Sequence, residues 1–549
     1  MNVKLIGRKK ELEALREYIS SNRSEFVAVY GRRRVGKTFL IRQMAADNFA
    51  FYVTGMDNAS MKEQLTNFSI ALQRHKKSTT LSVPESWILA FYELARYLET
   101  LPDGPKVIFI DELPWMDTPK SGFVSALENF WNSWAAVRTD VKLIVCGSAT
   151  SWMINKLIKN RGGLHNRITH RMIIEPFVLN ECEQYFMANG FSYSHRDIAE
   201  CYMVLGGIPY YLSFMRKDRS LAQNIDRLFF ESGAELSDEF ENLYRALFKN
   251  AGLHIQIVTA LATKAKGLNR KELLRVTGLT NNGAFSIALE ELESCGFIRR
   301  YEPFGKPRMS PTGRLQRDAL FQLVDFYTLF YFRFIRTNRY RDEHFWTTSQ
   351  NTPLHASWSG YAFEMLCLDH VRQIKAALGI AGVQTLVCSW SSSTVDKGAQ
   401  IDLVIDRKDE TVNLCEMKYY STVFAIDKGY EEKLRNKIAA FREETNTRKS
   451  LMLTFVTTYG LKENMYSVVF RARCFWTICS RNDGVTLLFC QEQIYIRLTD
   501  GRLKLPVFAF GQTVCLPQTH HPFTPNTSSV CLNCIIRSAG LNNRNATPQ

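Results

Sequence analysis

The sequence contains no long apolar stretch. Its 549 residues include no run of about 18 apolar positions, which excludes a membrane-spanning helix. Residues 1–8 also lack the apolar core of a secretory signal. We therefore expect a cytoplasmic protein that has no membrane partner.

Paired cysteines are absent as well. The 13 cysteines are scattered over mostly apolar positions, and Cys531 and Cys534 form a lone CxxC without a second pair or a nearby His cluster. Disulfide frameworks and zinc sites need repeated, regularly spaced cysteines. We therefore expect reduced thiols that serve as small apolar side chains.

The composition is not extreme in any direction. Apolar residues make up 46% and charged residues 22%, which excludes disordered and collagen-like chains. The formal net charge of +15 is spread along the sequence rather than collected in a basic tail. It favours polyanionic partners such as nucleotides, DNA or RNA without selecting one. The length indicates roughly three or four domains.

A phosphate-binding pattern lies near the N-terminus. An apolar run over residues 26–30 leads into GRRRVGKT at residues 31–38, and a helical pattern follows. This is the P-loop signature, in which glycines let backbone N–H groups approach phosphates at the positive end of a helix. We predict that Lys37 reaches the β- and γ-phosphates of ATP and that Thr38 binds Mg²⁺. The loop residues predicted to contact the nucleotide are Gly31, Arg32, Arg33, Arg34, Val35, Gly36, Lys37, Thr38 and Phe39.

Two further apolar runs end in polar residues. One leads into Asp111 and Glu112, and the next leads into Ser148. The carboxyl ends of parallel strands meet at one edge of a sheet, so these side chains can serve the same nucleotide. We predict that Asp111 holds Mg²⁺ through water and that Glu112 polarises the attacking water, rather than both merely ending a strand. The Ser148 hydroxyl would sense the γ-phosphate.

As a set, the motifs resemble a known family. They are IGR at residues 6–8, the P-loop, IDELPWM at 110–116, CGSATSWM at 146–153 and GGIPYYL at 206–212. The set is similar to archaeal-type ATPases of the AAA+/STAND group over roughly residues 1–470. The resemblance implies an α/β fold: a P-loop NTPase parallel sheet with a helical lid, a winged helix-turn-helix, and a C-terminal α/β restriction-endonuclease-like domain.

The resemblance also implies residue roles. Ile6, Gly7 and Arg8 would lie near the adenine, and Pro209 of the GxP motif in the lid would contact the base. Arg167 stands where relatives carry an arginine after the sensor strand. It would contact the γ-phosphate in cis or from a neighbouring subunit of a homo-oligomer formed on nucleotide binding. The alternatives for this role are Arg161 and Arg171, and a solvated basic face explains these arginines equally well.

A compact helical pattern begins at residue 253. Three helices, of which the second is capped by Asn269, precede the strand-like GFIRRY at residues 296–301. This order is typical of a winged helix-turn-helix. The third helix carries Glu290, Glu291 and Glu293, and these negative charges disfavour contact with phosphates. The module could therefore serve as a lid as well as a DNA-binding domain. The side chains that could grip DNA are Asn281, Asn282, Arg299, Arg300, Lys306 and Arg308.

Three acids and a lysine occur further along the chain. Glu364 lies on a predicted helix, Asp402 lies on a predicted strand, and Glu416 and Lys418 end another strand on one face. The set matches the PD-(D/E)xK arrangement, with the acids holding a second Mg²⁺ or Mn²⁺ and Lys418 near the developing charge. Gln400 could orient the substrate. The segment resembles the DUF234 region of relatives, and either a nuclease or a restriction fold that binds without cutting fits it.

We predict five regions and one leading function. The regions are the ATPase core at 1–175, the lid at 176–245, the winged helix at 246–312, the nuclease-like domain at 313–470, and a tail at 471–549. The residues FWTICS at 475–480 can be encoded by codons that read LDDLF, an ending of relatives, after a two-base shift. We therefore expect a frameshifted or poorly ordered tail. The leading hypothesis is a Mg²⁺-dependent ATPase that gates a nuclease-like domain acting on nucleic acid. The alternatives are a non-cleaving regulatory scaffold or DNA-binding switch and a defence-type ATPase.

Overall fold

The computed structural model describes residues 5–46, 48–159, 162–164, 166–248, 250–301, 304, 319–338, 342–392 and 399–467, and the backbone of four short strands between 472 and 515. Contacts divide the chain into two compact units, Met1–Leu366 and Cys367–Gln549. Residues 319–366, which the sequence analysis groups with the C-terminal domain, therefore pack within the first unit. Among the described residues, no helix is long and apolar enough to cross a lipid bilayer.

A parallel sheet forms the centre of the first unit. Its strands are β1 (Glu25–Tyr30), β2 (Phe51–Thr54), β3 (Lys106–Asp111), β4 (Val141–Gly147) and β5 (His170–Ile173). Their order is β2-β3-β4-β1-β5, and every neighbouring pair is parallel. All residues of β1, β3 and β4 are buried, which is typical of parallel strands covered on both faces. The near-continuous apolar runs of the sequence indicated these strands for the same reason.

Helices cover this sheet and continue the chain. Aromatic side chains join two of them, because Trp87 and Phe123 pack edge to face with ring centroids 4.8 Å apart. The helices up to residue 205 are α1 (Lys9–Ser20), α2 (Lys37–Ala45), α3 (Met61–Lys76), α4 (Trp87–Glu99), α5 (Leu113–Met116), α6 (Phe123–Phe130), α7 (Thr150–Trp152), α8 (Leu179–Ala188) and α9 (His195–Leu205). Two π-helical turns, Trp131–Ala135 and Met153–Ile158, extend α6 and α7.

A helix-rich segment follows and contains a small antiparallel sheet. Its helices are α10 (Pro209–Leu212), α11 (Leu221–Phe229), α12 (Glu239–Leu247), α13 (Ala251–Ala262), α14 (Arg270–Thr277) and α15 (Gly283–Ser294). The strands β6 (Leu268–Asn269), β7 (Ile298–Tyr301) and β8 (Leu320–Leu323) pair in the order β6-β8-β7. Asn269 caps α14 in a capping box with Glu272, as the sequence predicts, because its side chain satisfies a free N–H of the first turn.

An aromatic cluster closes the first unit. Phe330 and Trp346 are fully buried, with ring centroids 5.0 Å apart, and Phe330 also packs against Phe229 at 5.3 Å. The segment therefore serves as core rather than as a stacking platform. Its helices are α16 (Phe326–Phe330), the π-helical turn Tyr331–Ile335, α17 (Arg336–Asn338), α18 (Phe345–Ser349) and α19 (Pro353–Asp369).

The second unit contains a six-stranded mixed sheet. Its strands are β9 (Thr385–Ser391), β10 (Gln400–Arg407), β11 (Thr411–Lys418), β12 (Ser450–Thr457), β13 (Ala472–Phe475) and β14 (Phe489–Cys490), ordered from β14 to β9. Helix α20 (Val371–Ala377) precedes them, and α21 (Lys428–Thr445) connects β11 to its parallel neighbour β12. Strands β15 (Phe508–Phe510) and β16 (Thr513–Cys515) pair separately. The predicted tail falls largely outside the described residues.

Candidate functional site

The loop between β1 and α2 depends on two glycines. Gly31 has φ 140°, and a Cβ there would lie 2.3 Å from the carbonyl oxygen of Ile174. Gly36, at the N-terminus of α2, has φ 90° and no atom within 4 Å of a Cβ position. Glycine adopts such backbone conformations without steric cost. The loop thus leaves room beside the positive end of a helix, as the P-loop prediction requires.

Lys37 lies beneath this loop. Its side chain is 5% exposed, and Nζ donates hydrogen bonds to the carbonyl oxygens of Gly31 at 3.0 Å and Arg32 at 2.8 Å. It forms no ion pair with any residue that the structure describes. A buried ammonium that has only neutral partners is incompletely compensated. Its chemistry therefore fits a phosphate chain placed over the loop.

Thr38 and Asp111 meet at the carboxyl edge of the sheet. The Thr38 hydroxyl contacts Asp111 Oδ2 at 2.9 Å and Oδ1 at 3.1 Å. The backbone N–H of Glu112 also donates to Asp111 Oδ1, at 3.0 Å. A hydroxyl oxygen beside a buried carboxylate is the type of donor set that Mg²⁺ accepts next to phosphates. The structure thus brings together the two residues predicted to serve Mg²⁺.

Glu112 and Ser148 contact each other at the same edge. Glu112 Oε2 accepts hydrogen bonds from the Ser148 backbone N–H at 3.1 Å and from its hydroxyl at 2.9 Å. Glu112 is also in the left-handed region, with φ 45°, immediately before α5. Because β3 and β4 are neighbours, the predicted base and the predicted sensor form one hydrogen-bonded pair.

Residues 6–8 contact the loop through Arg8, whose guanidinium donates a hydrogen bond to the carbonyl of Val35 at 3.4 Å. Arg8 is buried, and its guanidinium donates to the carbonyl of Glu175 at 2.5 Å and lies 4.8 Å from the centre of the Phe177 ring. A Cβ at Gly7 would collide with the carboxylate of Glu181 at 2.5 Å. Ile6 is half-buried and Pro209 begins α10, also half-buried. Contacts of Ile6, Gly7, Arg8 and Pro209 with adenine stay predictions.

The arginines of the loop have protein partners that the sequence analysis did not identify. Arg32 forms an ion pair with Asp325 and lies 4.9 Å from the centre of the Phe297 ring. Arg34 forms an ion pair with Glu239 and lies 4.3 Å from the centre of the Tyr210 ring. The two carboxylates lie far along the chain, and no spacing or motif of the sequence connects Asp325 or Glu239 to the loop. Of the other predicted loop contacts, Arg33 and Thr38 are half-buried, Val35 is buried and Phe39 is exposed.

Burial and charge act in opposite directions on Arg32. Burial favours its neutral form and by itself would lower the pKa of the guanidinium. The carboxylate of Asp325, together with Tyr211 and Tyr244, outweighs this effect and raises the pKa of Arg32 above its ordinary value. Arg32 is therefore a permanent cation whose charge is compensated within the protein.

Three other arginines, Arg161, Arg167 and Arg171, are the candidates for contact with the γ-phosphate. Arg167 is exposed in a turn whose backbone N–H bonds to the carbonyl of Leu164 at 3.1 Å. Arg171 is exposed on β5, and Arg161 lies outside the described residues. A role for any of the three, in cis or in a homo-oligomer, stays a prediction.

In the second unit, Asp402 lies on β10 and Glu416 lies on the adjacent strand β11. Leu403 pairs with Cys415 in antiparallel register, and Asp402 and Glu416 are the next residues of the two strands beyond this pair. The Gln400 side chain donates a hydrogen bond to Asp402.

Both carboxylate oxygens of Glu416 are engaged. Lys418 lies 3.0 Å from Oε1 and Lys437 of α21 lies 2.9 Å from Oε2, while the Tyr430 hydroxyl donates to Oε1. Burial would raise the pKa of Glu416, but the two lysines and the tyrosine hydroxyl together lower it. Glu416 is therefore held as a carboxylate. Sequence reasoning did not identify Lys437 and Tyr430 as partners of Glu416. Both lie on α21, and the number of residues between a strand and the following helix does not determine which helix residues face that strand.

The predicted metal site comprises Glu364, Asp402 and Glu416. Among the described residues, no group of three His, Cys, Asp or Glu side chains that could hold a metal ion is found. Glu364 lies in the first unit, and Asp402 and Glu416 lie in the second. A metal held jointly by Glu364, Asp402 and Glu416 stays a prediction.

A family model matches the first part of the chain, and one relative covers most of the chain. Residues 5–215 match a family described as an ATPase domain predominantly from Archaea. An uncharacterised protein of Methanocaldococcus jannaschii is 23% identical over 416 residues, which make up 75% of this chain and 87% of that protein. An uncharacterised ATP-binding protein of the same organism is 46% identical over 41 residues, 8% of this chain and 70% of that protein.

Solved structures are more distant. A Walker-type ATPase of Pyrococcus abyssi has a TM-score of 0.42 and 17% identity, and the match covers 59% of this chain and 95% of that one. Such a likeness assigns this chain neither a partner nor an activity. The family match, by contrast, includes Lys37, Thr38, Asp111, Glu112 and Ser148. Residues 5–215 are accordingly similar to the ATPase domains of this predominantly archaeal family.

Proposed function

We propose that this chain binds ATP together with Mg²⁺ and hydrolyses ATP. The observation that supports this most strongly is the convergence of Lys37, Thr38, Asp111, Glu112 and Ser148 at one edge of the parallel sheet. Ligands of open α/β sheets bind at the carboxyl ends of the strands, where these side chains lie. The buried and only partly compensated ammonium of Lys37 adds a preference for an anion.

Each residue then has a distinct task. Lys37 would exchange its carbonyl contacts for oxygens of the β- and γ-phosphates, and Thr38 and Asp111 would hold Mg²⁺. Mg²⁺ would neutralise part of the negative charge of the phosphates. Glu112 would orient and polarise the attacking water after its carboxylate leaves Ser148, which makes Ser148 a switch for the position of the base. This exchange would delay hydrolysis until the nucleotide is correctly bound.

Lys37→Ala tests the proposal. We expect Mg²⁺-dependent ATP turnover to fall to background, because no other described ammonium group occupies the loop. The matched control is Lys62→Ala, which removes an exposed lysine of α3 and should leave turnover unchanged. Turnover that persists in Lys37→Ala would show that another group binds the phosphates.

We also infer that nucleotide state is transmitted to the segment 251–323, which we interpret as a winged helix. Its order of helices and strands and its three-stranded antiparallel sheet support this interpretation. The C-terminus of α15 contacts α7, which follows the sensor, and the hydroxyls of Ser151 and Ser294 lie 3.2 Å apart. A change at Ser148 therefore has a short route to this module. The predicted DNA contacts Lys306 and Arg308 lie outside the described residues.

A second candidate function is metal-dependent cleavage of nucleic acid by the second unit. The observation that favours it is that Asp402 and Glu416 lie on adjacent strands, one residue beyond the Leu403–Cys415 pair, with the Lys418 ammonium 3.0 Å from Glu416. Asp402 and Glu416 would hold Mg²⁺ or Mn²⁺, and Lys418 would stabilise charge near the attacking water. The competing proposal is a regulatory scaffold that binds DNA or RNA without cutting, because Lys437 already neutralises part of the charge of Glu416.

Plasmid nicking with Mg²⁺ or Mn²⁺ separates the two proposals. We expect wild-type protein to nick and Lys418→Ala to lose at least about tenfold of the rate, roughly 1.4 kcal/mol of activation free energy. Lys433→Ala removes an exposed lysine of α21 and serves as the control. Equal background cleavage by wild type and Lys418→Ala, together with retained DNA binding, would favour the scaffold.

A further inference from the structure

We propose that Glu239 and Asp325 are positioning residues of the nucleotide site. Each carboxylate holds one arginine of the P-loop, and the pair thereby sets the conformation of the loop and its affinity for ATP. The inference rests on the proposed ATP binding but assigns a role to residues outside the ATPase motifs. It also means that Arg32 and Arg34 act on the nucleotide through the protein rather than by contacting phosphate.

The backbone of Arg34 needs external support. Its φ of 71° lies in the left-handed region, which residues other than glycine rarely adopt. The guanidinium is held between the carboxylate of Glu239 and the face of the Tyr210 ring. Glu239 is 4% exposed and also accepts a hydrogen bond from the Tyr211 hydroxyl at 2.7 Å. This network fixes an unfavourable backbone conformation in the middle of the loop.

Arg32 is anchored in a separate place. Both Arg32 and Asp325 are buried, with side chains 8% and 1% exposed. Asp325 Oδ2 also accepts the Thr328 backbone N–H at 2.9 Å, which caps α16 and holds the carboxylate in position. Removing one partner of such a buried pair leaves an uncompensated charge. The ion pair therefore ties the loop firmly to the start of α16.

These two anchors act on the groups that receive phosphate. Lys37 bonds to the carbonyl of Arg32 itself at 2.8 Å and to that of Gly31 at 3.0 Å. Displacement of the Arg32 backbone therefore displaces a partner of Lys37. A loop fixed in its binding conformation pays less ordering entropy when the ligand arrives. Glu239 belongs to α12, and Asp325 directly precedes α16. The affinity for ATP therefore depends on the positions of both helices. Because coupling between two binding events is reciprocal, ATP binding in turn stabilises the contacts of both helices with the loop.

Calorimetric titration of the full chain with ATP and Mg²⁺ tests the inference. We expect Glu239→Gln and Asp325→Asn to raise the Kd for ATP by about tenfold or more, and Glu239→Asp to recover part of the loss because it keeps the charge. Glu241→Gln is the matched control: it removes a carboxylate two positions away on α12 whose partner Arg245 is exposed, and should leave the Kd unchanged. Arg32→Lys tests the second anchor if Asp325→Asn does not fold, because lysine cannot reproduce the planar contact.

A double-mutant cycle identifies the route of the effect. If Glu239 acts through Arg34, Glu239→Gln should add no further loss of affinity in an Arg34→Gln background. Additive losses, or a reduced urea midpoint with an unchanged Kd in Glu239→Gln and Asp325→Asn, would overturn the inference and leave these residues a structural role. Absence of ATP binding by the wild-type chain would instead refute the proposed function itself.

Discussion

At the residue scale, Glu112 and Ser148 are linked at the edge of the sheet. Oε2 of Glu112 accepts two hydrogen bonds from Ser148, and the residue is held in a left-handed backbone conformation before α5. Under the proposed function, a base that acts through this oxygen must first exchange these hydrogen bonds. That exchange involves two neighbouring strands and needs no large movement of the fold.

Gly31→Ala should destabilise the first unit. A Cβ at this position would lie 2.3 Å from the Ile174 carbonyl oxygen, in addition to the strain at φ 140°. We expect a loss of roughly 1–3 kcal/mol in the free energy of unfolding, measured with urea. Gly104→Ala is the control, because Gly104 has φ 129° but no atom within 4 Å of a Cβ. Equal losses in the two variants would rule out the collision as the cause.

Sequence reasoning predicted residues that the structure brings together at one edge of the sheet, but it did not predict the ion-pair partners of Arg32 and Arg34. Lys37, Thr38, Asp111 and Glu112 follow buried strands in a short-range pattern, and parallel strands bring such ends together. The contacts of Arg32 and Arg34 depend on tertiary packing against residues more than 200 positions away, as with Asp325. Local pattern carries no information about such a partner.

At the element scale, a charged corner joins the beginnings of β3 and β4. Asp140 accepts hydrogen bonds from the Lys106 ammonium at 2.5 Å and from Arg138 Nε at 2.8 Å. The hydrogen bonds from Arg138, followed by that from Lys106, lower the pKa of Asp140 despite partial burial. The two strands are therefore held together by a carboxylate that stays ionised in the folded protein.

Asp140→Asn should reduce stability in a pH-dependent manner. Because the folded pKa lies below the unfolded one, the contribution is fully present above about pH 4, the unfolded pKa, and is lost as pH falls toward the folded pKa. We expect a difference of roughly 1 kcal/mol at pH 7, discounted for partial exposure. Urea unfolding at several pH values measures it, with Asp103→Asn at an exposed nearby position as the control. A difference that does not shrink in acid would contradict the assignment.

Most elements could be predicted from local pattern, but their grouping could not. The capped helix α14 and the strand pattern around residues 298–301 agree with the sequence analysis, because caps and apolar periodicity are local properties. The aromatic segment from Phe326 to Trp358 belongs with the first unit because its rings pack against Phe229 and Phe230. The spacing of apolar residues along the sequence does not show which apolar surfaces, far apart in the chain, pack together.

At the scale of the whole molecule, the proposed ligand should stabilise one unit selectively. A ligand that binds only the folded state adds about 2.7 kcal/mol at 100 times its Kd. We expect Mg²⁺ and ATP to raise the unfolding temperature of the first unit, measured by calorimetry, and Lys37→Ala to remove this shift. A shift confined to the transition of the second unit would place the nucleotide elsewhere.

The order of strands in the first sheet has a consequence for biosynthesis. Strand β1 is formed early in the chain, yet Glu25 pairs with Lys142 and Val27 pairs with His170. During translation its edges therefore remain unpaired until β4 and β5 have left the ribosome, and long-range pairing of this kind is slow. The nascent chain exposes an apolar strand over this interval, so chaperone capture is expected to affect the yield of folded protein more than the stability of the finished domain does.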